Sequence, residues 1–180
     1  KLLQTAIMNY GGGESEIERL IAQYADASAL YFQNQIDAAA SKFAENEREI
    51  LKVAQNVTKK YREDSEALLV QAIKLNIKVS LKRQLKGEKR NEVADKLLAN
   101  AQFGVQKASD FHDRYKDAVT APPTELVSSI YYFRRAKENL FLMYESIDMD
   151  AQEKKSFIDQ HKKDIDDNNN KIHQSRQKEN

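Results

Sequence analysis

The sequence predicts an all-α protein: a bundle of about five to six long amphipathic helices, open to an elongated arrangement, with a polar C-terminal helical tail. Two observations carry this. Only 5 Gly and 2 Pro occur in 180 residues, far below ordinary use, so there are few places for the tight turns of a many-stranded sheet. Apolar side chains recur at helical spacing, and from Glu14 to Lys86 neither Gly nor Pro interrupts them. An apolar fraction of 41% is enough to fill one sizeable core or two small helical lobes.

Taken in order, residues 1–13, "KLLQTAIMNYGGG", end in three glycines and read as a flexible N-terminal arm. Residues 14–148 read as the helical bundle. Its first helix carries Ile17, Leu20, Ile21 and Tyr24, and a second set follows at Phe43, Ile50, Val53 and Val57. A break is expected at Gln33–Asp37, because Asn and Asp compete for local backbone bonds. Another is expected at "YREDSE", with Asp64 or Ser65 capping the next helix. That helix runs through "ALLVQAIKLNIKVSLKRQL" and stops at Gly87, a left-handed cap.

The next helix is expected from about Asn91 to Val119, with Gly104 inside it marking close helix approach or a slight bend. Pro122 and Pro123 end that segment, and Thr124 is placed to cap the following helix. Asp150, with Glu153 three residues on, resembles a capping box. It would open the last element, residues 149–180, a polar and partly ordered helix or tail whose apolar groups are Phe157, Ile158, Ile165 and Ile172. Ala27, Leu30, Ala39 and Phe43 fall near the spacings of a tetratricopeptide helix pair, but no period recurs. A helix hairpin packed through small residues explains them equally well.

Charge and chemistry exclude more than they suggest. With 29 basic and 28 acidic side chains, the chain lacks the cationic surplus of a nucleic-acid or polybasic membrane binder. No stretch approaches the roughly 20 apolar residues of a membrane span. Cysteine is absent, which removes disulfides and thiolate sites in either redox compartment. The start at Lys1 leaves a cleaved signal or a trimmed beginning open. His112, His161 and His173 have no His partner at metal-site spacing and read as surface histidines. "DIDDNNNKIHQS" imitates a calcium loop, but Asn169 stands at the glycine position and Ser175 at the bidentate glutamate position. No phosphate loop, nucleophile elbow or catalytic pair is present. The expectation is a non-enzymatic protein without cofactor or metal.

The pointed stretch is "SSIYYFRRAKENLFLMYESI", residues 128–147. At about 100° per residue, Leu126, Ile130, Phe133, Ala136, Leu140, Phe141, Tyr144 and Ile147 gather on one side as core. Tyr131 and Leu142 lie about a third of a turn away with Arg135 beside them, while Tyr132 and Met143 point nearly opposite. A helix apolar on several sides is either central in its bundle or has an outside partner. The second reading makes Tyr131, Tyr132, Arg135, Leu142 and Met143 a protein interface. Stacking on single-stranded nucleic acid would need a basic groove that the charge balance does not supply. Tyr31 and Phe32 form a second candidate, since with Leu30 they cannot all face one core.

The segments "ASALYFQNQIDAAASKFAENEREI", "KLLANAQFGVQKASDFHDRYKDAV" and "SSIYYFRRAKENLFLMYE" give a resemblance over roughly residues 14–148. The chain resembles the all-helical flagellar-coiling proteins that help sheathe the periplasmic flagellar filament of leptospiral spirochaetes. The likeness lies in general character and not in a diagnostic motif. It implies a structural role: binding other filament and sheath proteins, assembling laterally, promoting filament coiling and motility, and residing in the periplasm. The alternative from a different class is a soluble, tetratricopeptide-like adaptor that holds a peptide in a groove. A small ligand-binding bundle is less supported, for want of a convergent polar cluster.

Overall fold

The computed structural model describes residues 2–157 and residue 159. Among them the regular structure is helix, with no strand, as the scarcity of Gly and Pro requires. The elements are α1 (Leu2–Tyr10), α2 (Glu14–Phe32), α3 (Ile36–Leu85), α4 (Glu92–Tyr115) and α5 (Pro123–Ser146). A further helical stretch covers residues 151–157. The chain divides into two compact units. The first is Lys1–Tyr61 with Ser109–Tyr131, and the second is Arg62–Ala108 with Tyr132–Asn180.

In the first unit, α2 and α3 form an antiparallel hairpin. Asn46 Nδ2 donates to the Leu20 carbonyl at 2.9 Å, and the Tyr24 and Phe43 rings lie 5.3 Å apart. Ala27 and Ala39 are fully buried, so small residues line this hairpin. Its turn falls where Asn and Asp predicted it. Asn34 takes φ 62, the Asn34 N–H donates to the Tyr31 carbonyl, and the Gln35 N–H donates to the Leu30 carbonyl. That is a Schellman closure with Asn in the left-handed position. A small cluster of Leu51, Ala54 and Leu126, with Leu3 and Tyr115 against it, forms part of this unit's interior.

The arm expected at residues 1–13 is instead helix α1 through Tyr10. Its apolar side chains have somewhere to go: Ala6 and Ile7 are buried, and the Tyr10 ring sits 4.3 Å from Tyr61. The break expected at "YREDSE" is absent, and α3 runs 50 residues without interruption. Asp and Ser each disfavour a helix interior by only about half a kcal/mol. Burying Tyr61, Ser65, Leu68 and Ala72 along one side outweighs that.

In the second unit, α3, α4 and α5 share a core of Leu68, Ala72, Leu98, Ala101, Leu140 and Tyr144, among others. Gly87 (φ +71) closes α3 as expected, with Glu88 N–H bonded to Arg83 O and Gly87 N–H to Gln84 O. Asn91 caps α4: its Oδ1 accepts from Ala94 N–H at 3.1 Å, and its Nδ2 donates to Ser146 O at 2.8 Å. Asp150 caps the 151–157 stretch, accepting from Gln152 N–H at 2.8 Å. Glu153 does not complete the box and pairs with Lys78 at 3.2 Å instead.

Three expectations about helix ends and burial are corrected. In the first unit, α4 stops at Tyr115 rather than Val119, because Gln55 Nε2 takes the Tyr115 and Ala118 carbonyls at 3.0 and 2.9 Å. There α5 begins at Pro123, so Thr124 lies inside the first turn; proline loses nothing there, since its missing N–H would have had no helical partner. His112 is 5% exposed, not a surface histidine. The expectations for Ile158, Ile165, Ile172, His161, His173 and the "DIDDNNNKIHQS" loop lie outside the described residues.

Candidate contact surfaces

Helix α5 contributes a core first. Ile130, Phe133, Ala136, Leu140, Tyr144 and Ile147 are buried, as the 3.6-residue period predicts. Arg134 and Lys137 are buried as well, at 4% and 1%. Met143 is a correction: it is fully buried in the second unit's core with Leu68, Ala72 and Leu140, so it cannot serve an exposed interface. The cause is helical phase: at about 100° per residue Met143 lies only about 20° from the buried Ala136, on the flank of the main stripe and not opposite it, whereas Tyr131 and Leu142 are the ones that point away. Tyr132 is partly buried, its backbone held against α4 at Gly104. Arg135 is exposed, is paired with Glu138 and offers its carbonyl to Asn139 Nδ2 at 2.9 Å. Leu142 is 45% exposed. Tyr131, 50% exposed, belongs to the first unit.

Tyr31 and Phe32 are at the end of α2, where the Schellman turn leaves no helix to cover them. Tyr31 is 55% and Phe32 85% exposed. Their rings meet edge to face, 5.8 Å between centroids, so each fixes the other's orientation. Across the turn, Ile36 at the start of α3 is 50% exposed. Two aromatic rings and a β-branched residue thus stand in water at one turn. Aromatic side chains are enriched at protein contacts relative to the rest of a protein surface.

Sequence reasoning missed two further features. One is a groove of about 340 Å3 in the first unit, lined by Leu3, Ile7, Ile17, Leu20, Tyr24 and Ile50. It was hidden because residues 1–13 read as a loose arm. The other is on α3 in the second unit, where Val70, Ile77 and Leu81 are each about half exposed and Leu85 is 89% exposed. The buried Leu68, Ala72 and Val79 lie nearly opposite on the same helix. The signal was present in "ALLVQAIKLNIKVSLKRQL", which carries two apolar series about half a turn apart.

The electrostatics are those of solvated helix faces. Glu16, Glu45 and Glu49 are held below the usual carboxylate range, chiefly by hydrogen bonds from Arg19, Lys42 and Lys52. Such exposed pairs at three-residue spacing add little stability. A wider groove of about 770 Å3 in the second unit is lined by Lys78, Lys82, Asp148, Glu153, Met149 and Phe157. Of its charges, Lys78 pairs with Glu153 at 3.2 Å and Asp148 with Arg83 at 3.0 Å. Among the described residues, no group of three or more His, Asp or Glu is placed to hold a metal ion. No helix among them is long and apolar enough to cross a membrane. Comparison with protein-family models, with curated proteins and with solved structures finds no match to the chain.

Proposed function

We propose that this chain is a non-enzymatic structural protein that binds other proteins of a filament, in the manner of the spirochaete periplasmic flagellar sheath it resembles. In that role it would reside in the periplasm and promote filament coiling and motility. The observation that supports this best is the exposed aromatic tip of Tyr31, Phe32 and Ile36. Aromatic side chains offer large contact area with little rotamer entropy to lose, which makes them the anchors of protein interfaces. A coat subunit also needs at least two separate contact surfaces that do not close on themselves. The exposed face of α3 and Leu142 on α5 are further candidates for the second.

The test is co-sedimentation of the chain with periplasmic flagellar filaments stripped of their sheath. Saturable pelleting is the expected result. The adaptor reading predicts no pelleting and a measurable affinity for short peptides, for which the 340 Å3 groove is the place. It draws less support, because the uninterrupted 50-residue α3 is longer than an entire 34-residue tetratricopeptide unit.

A further inference from the structure

We propose that residues 158–167 of this chain dock on α5 of the second unit, antiparallel to it, with Asp164 and Asp167 set against the buried Lys137 and Arg134. The inference is independent of the filament reading. The segment follows directly on the 151–157 helical stretch, so what it meets depends on where that stretch lies and how it points. Asp148 pairs with Arg83 at 3.0 Å and Glu153 with Lys78 at 3.2 Å. The chain therefore turns back after α5 and runs along α3 against its direction. Helix α5 runs with α3, since Lys137 lies 3.7 Å from Asp64 and Asp148, just past the end of α5, reaches Arg83. The 151–157 stretch is thus antiparallel to α5 as well. Residue 159 is helical and exposed, as expected of a position about 200° around the helix from Phe157.

Register and charge choose the occupant. The Phe157 ring stacks on Tyr144 at 3.5 Å and lies 6.5 Å from Phe141. Seven residues before Tyr144 and Phe141 stand Lys137 and Arg134, which are 1% and 4% exposed. Seven residues after Phe157 stands Asp164. Each step is two helical turns, about 10.5 Å. In antiparallel helices, equal steps in opposite directions keep residues opposite one another. The aromatic contact is therefore followed by a carboxylate facing Lys137, and Asp167, about one turn further, falls beside Arg134. Buried cations are stable where carboxylates and hydrogen bonds surround them, and Asp164 joins Asp64 in that role at Lys137. Lys162 and Lys163 lie more than roughly 100° from the line of Phe157 and Asp164, so they point away from the two cations.

Hydrogen exchange on the full chain locates the segment without any substitution. Amides of residues 160–167 are expected to exchange at least roughly tenfold more slowly than in a free peptide of the same sequence. A double-mutant cycle then reads the pairing. In the wild-type background, Asp164→Asn is expected to raise the unfolding equilibrium constant about five- to tenfold. In a Lys137→Met background, which keeps most of the buried stem, the same substitution is expected to change it less than about twofold. Free-peptide exchange rates overturn the docking. An equal effect of Asp164→Asn in the two backgrounds overturns the pairing with Lys137. Protection that grows with chain concentration between about 1 and 100 µM would place the segment on a second copy, and overturns docking within one chain.

Discussion

Gly104 on α4 and Ala136 on α5 meet so closely that a methyl group on residue 104 would lie 3.1 Å from the Ala136 Cβ and 3.4 Å from the Tyr132 carbonyl oxygen. Both helices are held there by their own backbones, so neither neighbour can swing aside. Gly104→Ala should gain about 1 kcal/mol of helix propensity and lose more to the clash. The net expectation is a destabilisation of about 1–2 kcal/mol, read as a melting point lower by roughly 3–6 °C. Adding Ala136→Gly should recover part of it. A more stable Gly104→Ala would show that the two helices can separate without cost.

Tyr144 lies in the second unit's core with the Phe157 ring stacked on it, 3.5 Å between centroids and 11° between planes. Burial pushes its phenol up to about 12 from an ordinary value of 10. Between those values the unfolded chain gives up the proton while the folded one keeps it. The contribution is therefore intact below pH 10 and is lost as pH rises through 12. Two pH units amount to on the order of 2–3 kcal/mol. Urea midpoints measured from pH 9 to 11.5 should fall more steeply for the wild type than for Tyr144→Phe. Parallel curves would contradict this.

Asn34 holds φ 62 at the α2–α3 turn. Asn34→Gly should leave thermal stability unchanged or slightly raised, since glycine adopts that conformation freely. Asn34→Val should cost about 1–2 kcal/mol, because a β-branched side chain is strained there. Equal melting points for the two variants would mean that the turn re-forms in another conformation.

Lys137 is 1% exposed, with its Nζ 3.7 Å from an oxygen of Asp64, which is itself half exposed. Lys137→Ala should destabilise by about 2–4 kcal/mol, through lost packing and a broken pair. Lys137→Met, which keeps most of the stem and removes the charge, should stay within about 1 kcal/mol of wild type. Urea unfolding with an unchanged slope is the measurement.

What could be read in advance follows from where the deciding force is local. Helix ends set by a special backbone angle or a side-chain cap were legible: Asn34, Gly87 and Asp150 all stand where the sequence placed them. The Gly104 approach was legible too, because a glycine inside a helix has few other uses. Features decided by distant packing were not. Asp64 and Ser65 carry helix-start signals, yet α3 passes through them because the helix buries residues on either side. Residues 2–10 looked loose because their partner, Tyr61, is far away in sequence. Of the candidate site residues, Tyr31 and Phe32 proved exposed and Met143 proved to be core. The signal for Met143 was in the helical phase, since seven residues separate it from Ala136 and set both on the same side of α5.

The central claim is that the aromatic tip is a contact surface. It is tested most directly by co-sedimenting the Tyr31→Lys/Phe32→Lys variant with sheath-stripped flagellar filaments beside the wild-type chain, after circular dichroism shows equal helicity. Wild-type pelleting at saturation, with binding weakened at least roughly 30-fold in the variant as expected for losing an interface anchor worth 2 kcal/mol or more, is the predicted result. Equal pelleting of the two chains, or none by either, would contradict it.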